Sequence, residues 1–290
     1  MKAAIKDCFL NRNSAKEIWP LTKVLFILYW LFKIKSMAYH VPEIDYPKGF
    51  CYVFDCNIFF SAYARHFLFI LAVTAAILYI FEKFMIPSLA LISLSSIIFF
   101  SLTASNGVNH INSFMSGIFI SQLIAYIYYA YHKNYEKLEQ SRIQFSVQVV
   151  AASYTLAALS KLSNGGFNWF MASDGFALQI HKSLLLSFST TGDPAFLEKS
   201  DWLFNFVLQH PGITQFMLLT ALLLEFFAFL VLIKNELKVI YGWVLIFMHL
   251  GILYLMDIHY FPIHLYLFFV NLPYLIIGPF KYIFNQSRQD

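Results

Sequence analysis

Three ionisable side chains fall inside or at the end of apolar runs, where ionisable groups are costly and tend to mark function or pairing. Glu225 is near the middle of LLTALLLEFFAFLVL, His249 is near the middle of GWVLIFMHLGILYLM, and Lys161 stands near the end of YTLAALSKLSNGG. Glu225 and His249 are expected at similar depth on consecutive antiparallel helices. A hydrogen bond between them would lower the cost of burying both, either as a clasp between two helices or as part of a site. Tyr154, Ala157 and Lys161 fall within about 40° of one helix face at 100° per residue. Alanines beside a lysine leave room for a ligand or for close helix contact. A lysine at a helix end also snorkels toward water.

Polar residues gather just beyond these runs. TASNGVNHINS carries Asn106, Gly107, Asn109 and His110, and MDIHYFPIHLY carries Asp257, His259 and His264. Together with Lys161 they are expected at one rim, around a cavity with His249 and Glu225 beneath it. His259 and His264 are five apart and do not share a helix face. No HExxH-type spacing is present either, so no metal is expected.

The elements that must position these residues are membrane helices. Of 290 residues 59% are hydrophobic, 19% aromatic and 12% charged, against about 25% charged for a soluble domain. Disorder is excluded by the aromatic content. A net charge of +4 on scattered basic residues argues against nucleic-acid binding. A spanning helix needs about 20 apolar residues. Eight segments approach this: 18–32, 58–81, 86–104, 111–131, 145–162, 213–233, 239–256 and 260–280. The first carries Lys23 and could instead lie in the interface. The second is interrupted by Arg65 and His66, so its start is open. Strand alternation is absent, which excludes a β-barrel.

With eight spans and the N-terminus inside, twelve Lys or Arg lie on the inner side and seven on the outer. That bias places both termini in the cytoplasm of a multi-pass cell-membrane protein, with the site facing outward. The outer connection 163–209 holds two amphipathic stretches. One has Phe176, Ala177, Ile180, Leu184 and Phe188 at helical spacing; the other has Leu203, Phe206 and Val207 near Trp202. Both read as a lid over the bundle or in the headgroup region, passive or in contact with substrate. Three cysteines form no zinc pattern. Cys51 and Cys56 could pair in an oxidising compartment or remain free thiols. The basic N-terminus has no early apolar core, so it does not read as a cleavable signal peptide.

From about residue 100 to 275 the chain resembles the vitamin K-dependent γ-carboxylase superfamily, whose bacterial members are called horizontally transferred transmembrane domain proteins. Asn109-His110, with Gly117 and Ser121-Gln122-Leu123, is similar to the Asn-His segment of the carboxylase. Tyr154 to Leu162 followed by Trp169 is similar to its lysine-bearing helix end. LLLEFFAFLVL, FMHLGI and HYFPIHLYLF are similar to the spans that follow, and the four motifs occur in order. The family usually has Gly two residues beyond the tryptophan; here Gly175 is six beyond Trp169. A lumenal C-terminal domain is not expected, which tells against carboxylation of a propeptide-tagged protein.

The resemblance implies an all-α membrane core in which Lys161 is the base and His110 helps position the reacting groups. In the carboxylase a lysine amine deprotonates a reduced quinone, and oxygenation then generates a base strong enough to remove a proton from a glutamate side-chain carbon, which captures carbon dioxide. Asn109, His249 and Tyr154 would contact a reduced quinone, a vitamin K-like cofactor. Glu225, Asp257 and His259 would shape the cavity and its proton balance. Lys161 would have to be neutral, a state that desolvation favours. The expected partners are membrane lipids and a peptide or small-molecule substrate. The alternative is a non-enzymatic membrane component, resembling the sporulation-delaying protein B family, that matures a small secreted toxin peptide. A transporter is disfavoured, because no inverted repeat is visible.

Overall fold

A computed structural model describes residues 14–39, 46–105, 113–258 and 262–273. The fold is all-α, and the protein is a multi-pass membrane protein. Six helices are long and apolar enough to cross a membrane: Ala62–Ile80, Met85–Ser105, Phe114–Tyr131, Lys137–Gly165, Pro211–Leu232 and Leu237–Met256. They coincide with six of the eight segments expected. Much of the eighth lies outside the described residues. The chain divides into two compact units, residues 1–150 with 271–290, and residues 151–270.

In the first unit, α1 (Ser14–Tyr39) is one continuous helix over the opening segment, and it is not among the six long and apolar enough to cross a membrane. Its 26 residues reach about 39 Å. Lys23, early in α1, pairs with Glu82 just beyond α2 (Ala62–Ile80) at 2.8 Å. Late in α1, the Ala38 carbonyl accepts from Arg65 Nε in the first turns of α2 at 3.2 Å. The two helices therefore run antiparallel along their length. Trp19, Lys23, Phe26, Ile27, Trp30, Ile34 and Ala38 form its buried stripe, at three- and four-residue steps. Arg65 is buried for a reason that apolarity could not reveal: it satisfies the carbonyls of Ala38 and Phe59, one of them at the open end of α1.

Helix α3 (Met85–Ser105) packs against α1, α2 and α4 (Phe114–Tyr131). Its buried serines keep the helices close. Ser105 and Ser101 also accept hydrogen bonds from the backbone N–H groups of Lys48 (2.8 Å) and Phe50 (2.9 Å), docking the loop before α2. In that loop Cys51 and Cys56 form a disulfide, the first of the two states left open for them. The next helix, α5 (Tyr135–Gly165), begins ten residues earlier than the apolar segment 145–162. Its polar first turns are helical because Glu139 and Arg142 are partnered inside the unit. Arg142 Nη1 donates to Glu139 Oε1 (2.6 Å) and Nη2 to the Tyr79 hydroxyl (3.4 Å). Tyr79 donates to Gln122 Oε1 (2.5 Å), and Gln122 donates to Ser146 Oγ (3.0 Å).

The second unit takes over within α5, after Val150. A turn of 3-10 helix (Gly166–Met171) leads to α6 (Ser173–Thr191) and α7 (Ala195–Gln209), which pack together as a hairpin. The predicted apolar face holds: Ala177, Ile180, Leu184, Leu203 and Val207 are buried, joined by Met256 near the hairpin. Helix α8 (Pro211–Phe226) continues as a 3-10 segment, Phe227–Leu232. The last long helix, α9 (Asn235–Met256), is followed by a π-helical turn at Leu265–Phe269. The two approach closely at Gly242, where a Cβ would sit 2.8 Å from Phe269 Cβ and 3.3 Å from the Val270 nitrogen. Any larger residue would push the π-helical turn from α9.

Candidate functional site

The second half of α5 carries the site on one stripe. Tyr154, Ala158 and Lys161 occur at four- and three-residue steps, with Tyr154 and Ala158 buried and Lys161 30% exposed. The small residue beneath the lysine is thus Ala158, not Ala157, which is exposed.

Lys161 is held from two sides. Its Nζ donates to Glu225 Oε2, and the ammonium lies 5.1 Å from the centre of the Trp169 ring. Glycine makes this roof feasible. A Cβ on Gly165 would meet Trp169 Cδ1 at 2.8 Å and Cβ at 3.1 Å, so the indole rests against the bare end of α5. Gly166 follows at φ +63°, a left-handed conformation that suits glycine and turns the chain back. The pitch changes from α to 3-10 between Phe226 and Phe227, just beyond Glu225. Two side chains take carbonyls at that change: Thr155 Oγ1 donates to Phe226 O (3.3 Å), and the Tyr241 hydroxyl donates to Leu224 O (2.7 Å).

Deeper on α5, the Tyr154 hydroxyl lies 2.7 Å from His249 Nε2 and 3.1 Å from His264 Nε2. His249 comes from α9 and His264 from the residue before the π-helical turn. Such turns recur at functional sites. The expected pairing is therefore exchanged. Glu225 is met by Lys161, and His249 is met by Tyr154. The reason is register: Lys161 and Tyr154 lie two turns apart on one face of α5 and offer each buried group a partner.

The remaining expected residues fall elsewhere. Asp257 caps α9 at φ 50° and accepts from Ser187 Oγ of the hairpin (2.5 Å). Lys199 donates to the Tyr254 carbonyl and lies over its ring. Both contacts pin the hairpin to the end of α9. Asn109, His110 and His259 lie outside the described residues. Among the described residues, no three His, Cys, Asp or Glu side chains are grouped to hold a metal ion.

No family model, curated protein or solved structure matches this chain. The geometry must be read by its chemistry. An amine beside a carboxylate, and a phenol between two imidazoles, are groups that hold and pass protons. Trp169 adds a flat aromatic surface over the amine.

Sequence reasoning missed two features. The pairing of Tyr154 with His264 has no local signal, because 110 residues separate them. The Trp169 roof had one: two glycines just before the aromatic, at a helix end.

Proposed function

We propose that this chain is a membrane-embedded enzyme of the γ-carboxylase superfamily type, in which the Lys161–Glu225 pair takes a proton from a lipid-soluble hydroquinone. The supporting observation is the contact itself: a partly exposed amine, backed by a buried carboxylate and roofed by an indole. The amine and the carboxylate share a hydrogen bond, so the pair acts as one unit toward an incoming proton.

The residues suit a hydroquinone. Its hydroxyl groups need a donor and an acceptor, which Lys161 and Glu225 provide, and its ring would lie against Trp169. When bound, the hydroquinone supplies reducing equivalents for modification of a peptide or small molecule. Lys161 orients and takes the proton, Glu225 holds it, and Trp169 limits water at the amine.

Both termini are assigned to the cytoplasm, with Lys161 toward the outer leaflet. The disulfide between α1 and α2 supports this orientation, since that loop then faces an oxidising compartment.

One observation favours a second reading. Lys161–Glu225 and Tyr154 with its two histidines tie α5, α8 and α9 together, as a polar clasp does. A non-enzymatic component maturing a secreted peptide would need only that. The test is Lys161→Ala in membranes supplied with a reduced quinone and oxygen, following quinol consumption. The enzyme reading expects at least about 100-fold loss with expression intact. Unchanged consumption, or none by the parent protein, supports the clasp.

A further inference from the structure

A phenol has one proton, so Tyr154 can donate to only one of the two Nε2 atoms it touches. Toward the other it must accept. The contacts are 2.7 Å to His249 and 3.1 Å to His264, both within hydrogen-bond range. Both rings present Nε2, which leaves Nδ1 of each on the far side of its ring from Tyr154. The order His264–Tyr154–His249 is thus a chain of three groups that each donate and accept.

All three members are held from different elements. Tyr154 is 9% exposed on α5, and His264 is 2% exposed at the start of the π-helical turn. His249 is half-buried on α9. The close approach at Gly242 fixes α9 against the residues that follow His264. What can change is which nitrogen carries the proton.

We propose that His264, Tyr154 and His249 form a proton relay, with Tyr154 as the hydroxyl that couples the protonation of the two rings. A proton arriving at Nδ1 of one ring releases the Nε2 proton of that ring to the Tyr154 oxygen. The Tyr154 proton passes to Nε2 of the second ring, and the second ring loses its Nδ1 proton. Along the chain two N–H bonds and one O–H bond break and the same number form, and no net charge remains. The rings exchange tautomers, so the relay must be reset before it passes another proton in the same direction. The role of this relay in supplying or removing protons at Lys161 rests on the enzyme reading above. The relay itself does not. Tyr154 is a positioning and proton-passing residue here, since nothing in the geometry brings it to a reacting carbon.

The coupling has a signature that a purely structural contact lacks. If Tyr154 donates to one ring and accepts from the other, the two histidines hold opposite tautomers, one with Nε2 protonated and one without. Nitrogen-15 NMR of histidine-labelled full chain in lipid nanodiscs, without any substrate, reads this directly. Signals are assigned by loss in His249→Gln and His264→Gln. The relay expects one protonated and one unprotonated Nε2. Tyr154→Phe, which removes the hydroxyl alone, should abolish the opposition and move both signals.

Should the His variants fail to fold, the infrared C–O band of ring-labelled tyrosine, parent minus Tyr154→Phe, distinguishes a phenol that donates and accepts from one that only accepts. Two protonated Nε2 atoms, or an accept-only phenol band, would overturn the relay. Because no quinone enters either measurement, that failure stands apart from a failure of Lys161→Ala to abolish turnover.

Discussion

Arg142 in the first unit and Lys161 in the second are both cations set into apolar helices, each beside a glutamate. Arg142 is 1% exposed, and Lys161 is 30% exposed. Around Arg142 the partners close in from several helices: Glu139, the Tyr79 hydroxyl, and the faces of the Trp19 and Tyr79 rings at 5.1 and 5.6 Å. Tyr79, Gln122 and Ser146 extend that network through α2, α4 and α5. Lys161 instead has a carboxylate behind it and an indole over it, with part of its surface open. The first arrangement has its charges balanced and enclosed, which holds helices together. The second leaves a group that an incoming molecule can reach. Two clusters of similar composition thus differ by what surrounds the cation.

The sharpest way to break this comparison is to remove each cation by the same substitution. Arg142→Met strands Glu139 inside the unit and takes away two aromatic contacts. Loss of one partner of a buried pair costs about 3–5 kcal/mol. Lys161→Met removes a side chain that is 30% exposed, so part of the lysine was never desolvated. Its cost should be nearer 1–2 kcal/mol. Denaturant or thermal unfolding in detergent measures both. The order Arg142 well above Lys161 is expected; equal losses would make the Lys161 pair a clasp like the other.

The legibility of the two clusters differs for a related reason. Glu225, His249 and Lys161 stood out because each interrupts or ends an apolar run. Arg142 did not, because it follows other polar residues in EKLEQSR and looks like an exposed helix start. Its one local signal was Glu139 three residues earlier, a spacing that puts both on one helix face. Six spans were readable from length and apolarity. Helix α1 was harder, since nothing local shows that Lys23 is buried beside Glu82, 59 residues away. The same limit hid the Tyr154–His264 contact. Periodicity reports which face of a helix is buried, but not which distant helix lies opposite.

A smaller effect tests how the Lys161 site is kept partly open. Gly165→Ala puts a methyl 2.8 Å from Trp169 Cδ1, so the indole must shift. Alanine suits the helix end at φ −109°, and the backbone is not strained. Loss of the ring above the ammonium removes about 0.5–1 kcal/mol, with little change in unfolding. The expected outcome is a shift in tryptophan emission and easier acylation of Lys161 by a membrane-permeant reagent. An unshifted spectrum would mean that Trp169 does not cover the amine.

The smallest effect belongs to the edge of the enclosed unit, where Lys23 meets Glu82. The Lys23 hydrogen bond holds the Glu82 carboxyl below its ordinary value of 4.5, against a partial opposing effect of burial. A carboxyl whose folded value is depressed stabilises the fold above the unfolded value. That contribution fades as pH falls from about 4.5 through the lower folded value. The Glu82 side chain is 56% exposed, so water screens the pair and its worth is under about 1 kcal/mol. Glu82→Gln should therefore lower the unfolding midpoint slightly at pH 7 and leave it unchanged well below pH 4, where the parent carboxyl is protonated too. If the difference persisted undiminished in acid, the contact would be packing of the lysine stem, and the charge on Glu82 would contribute nothing to closing the first unit.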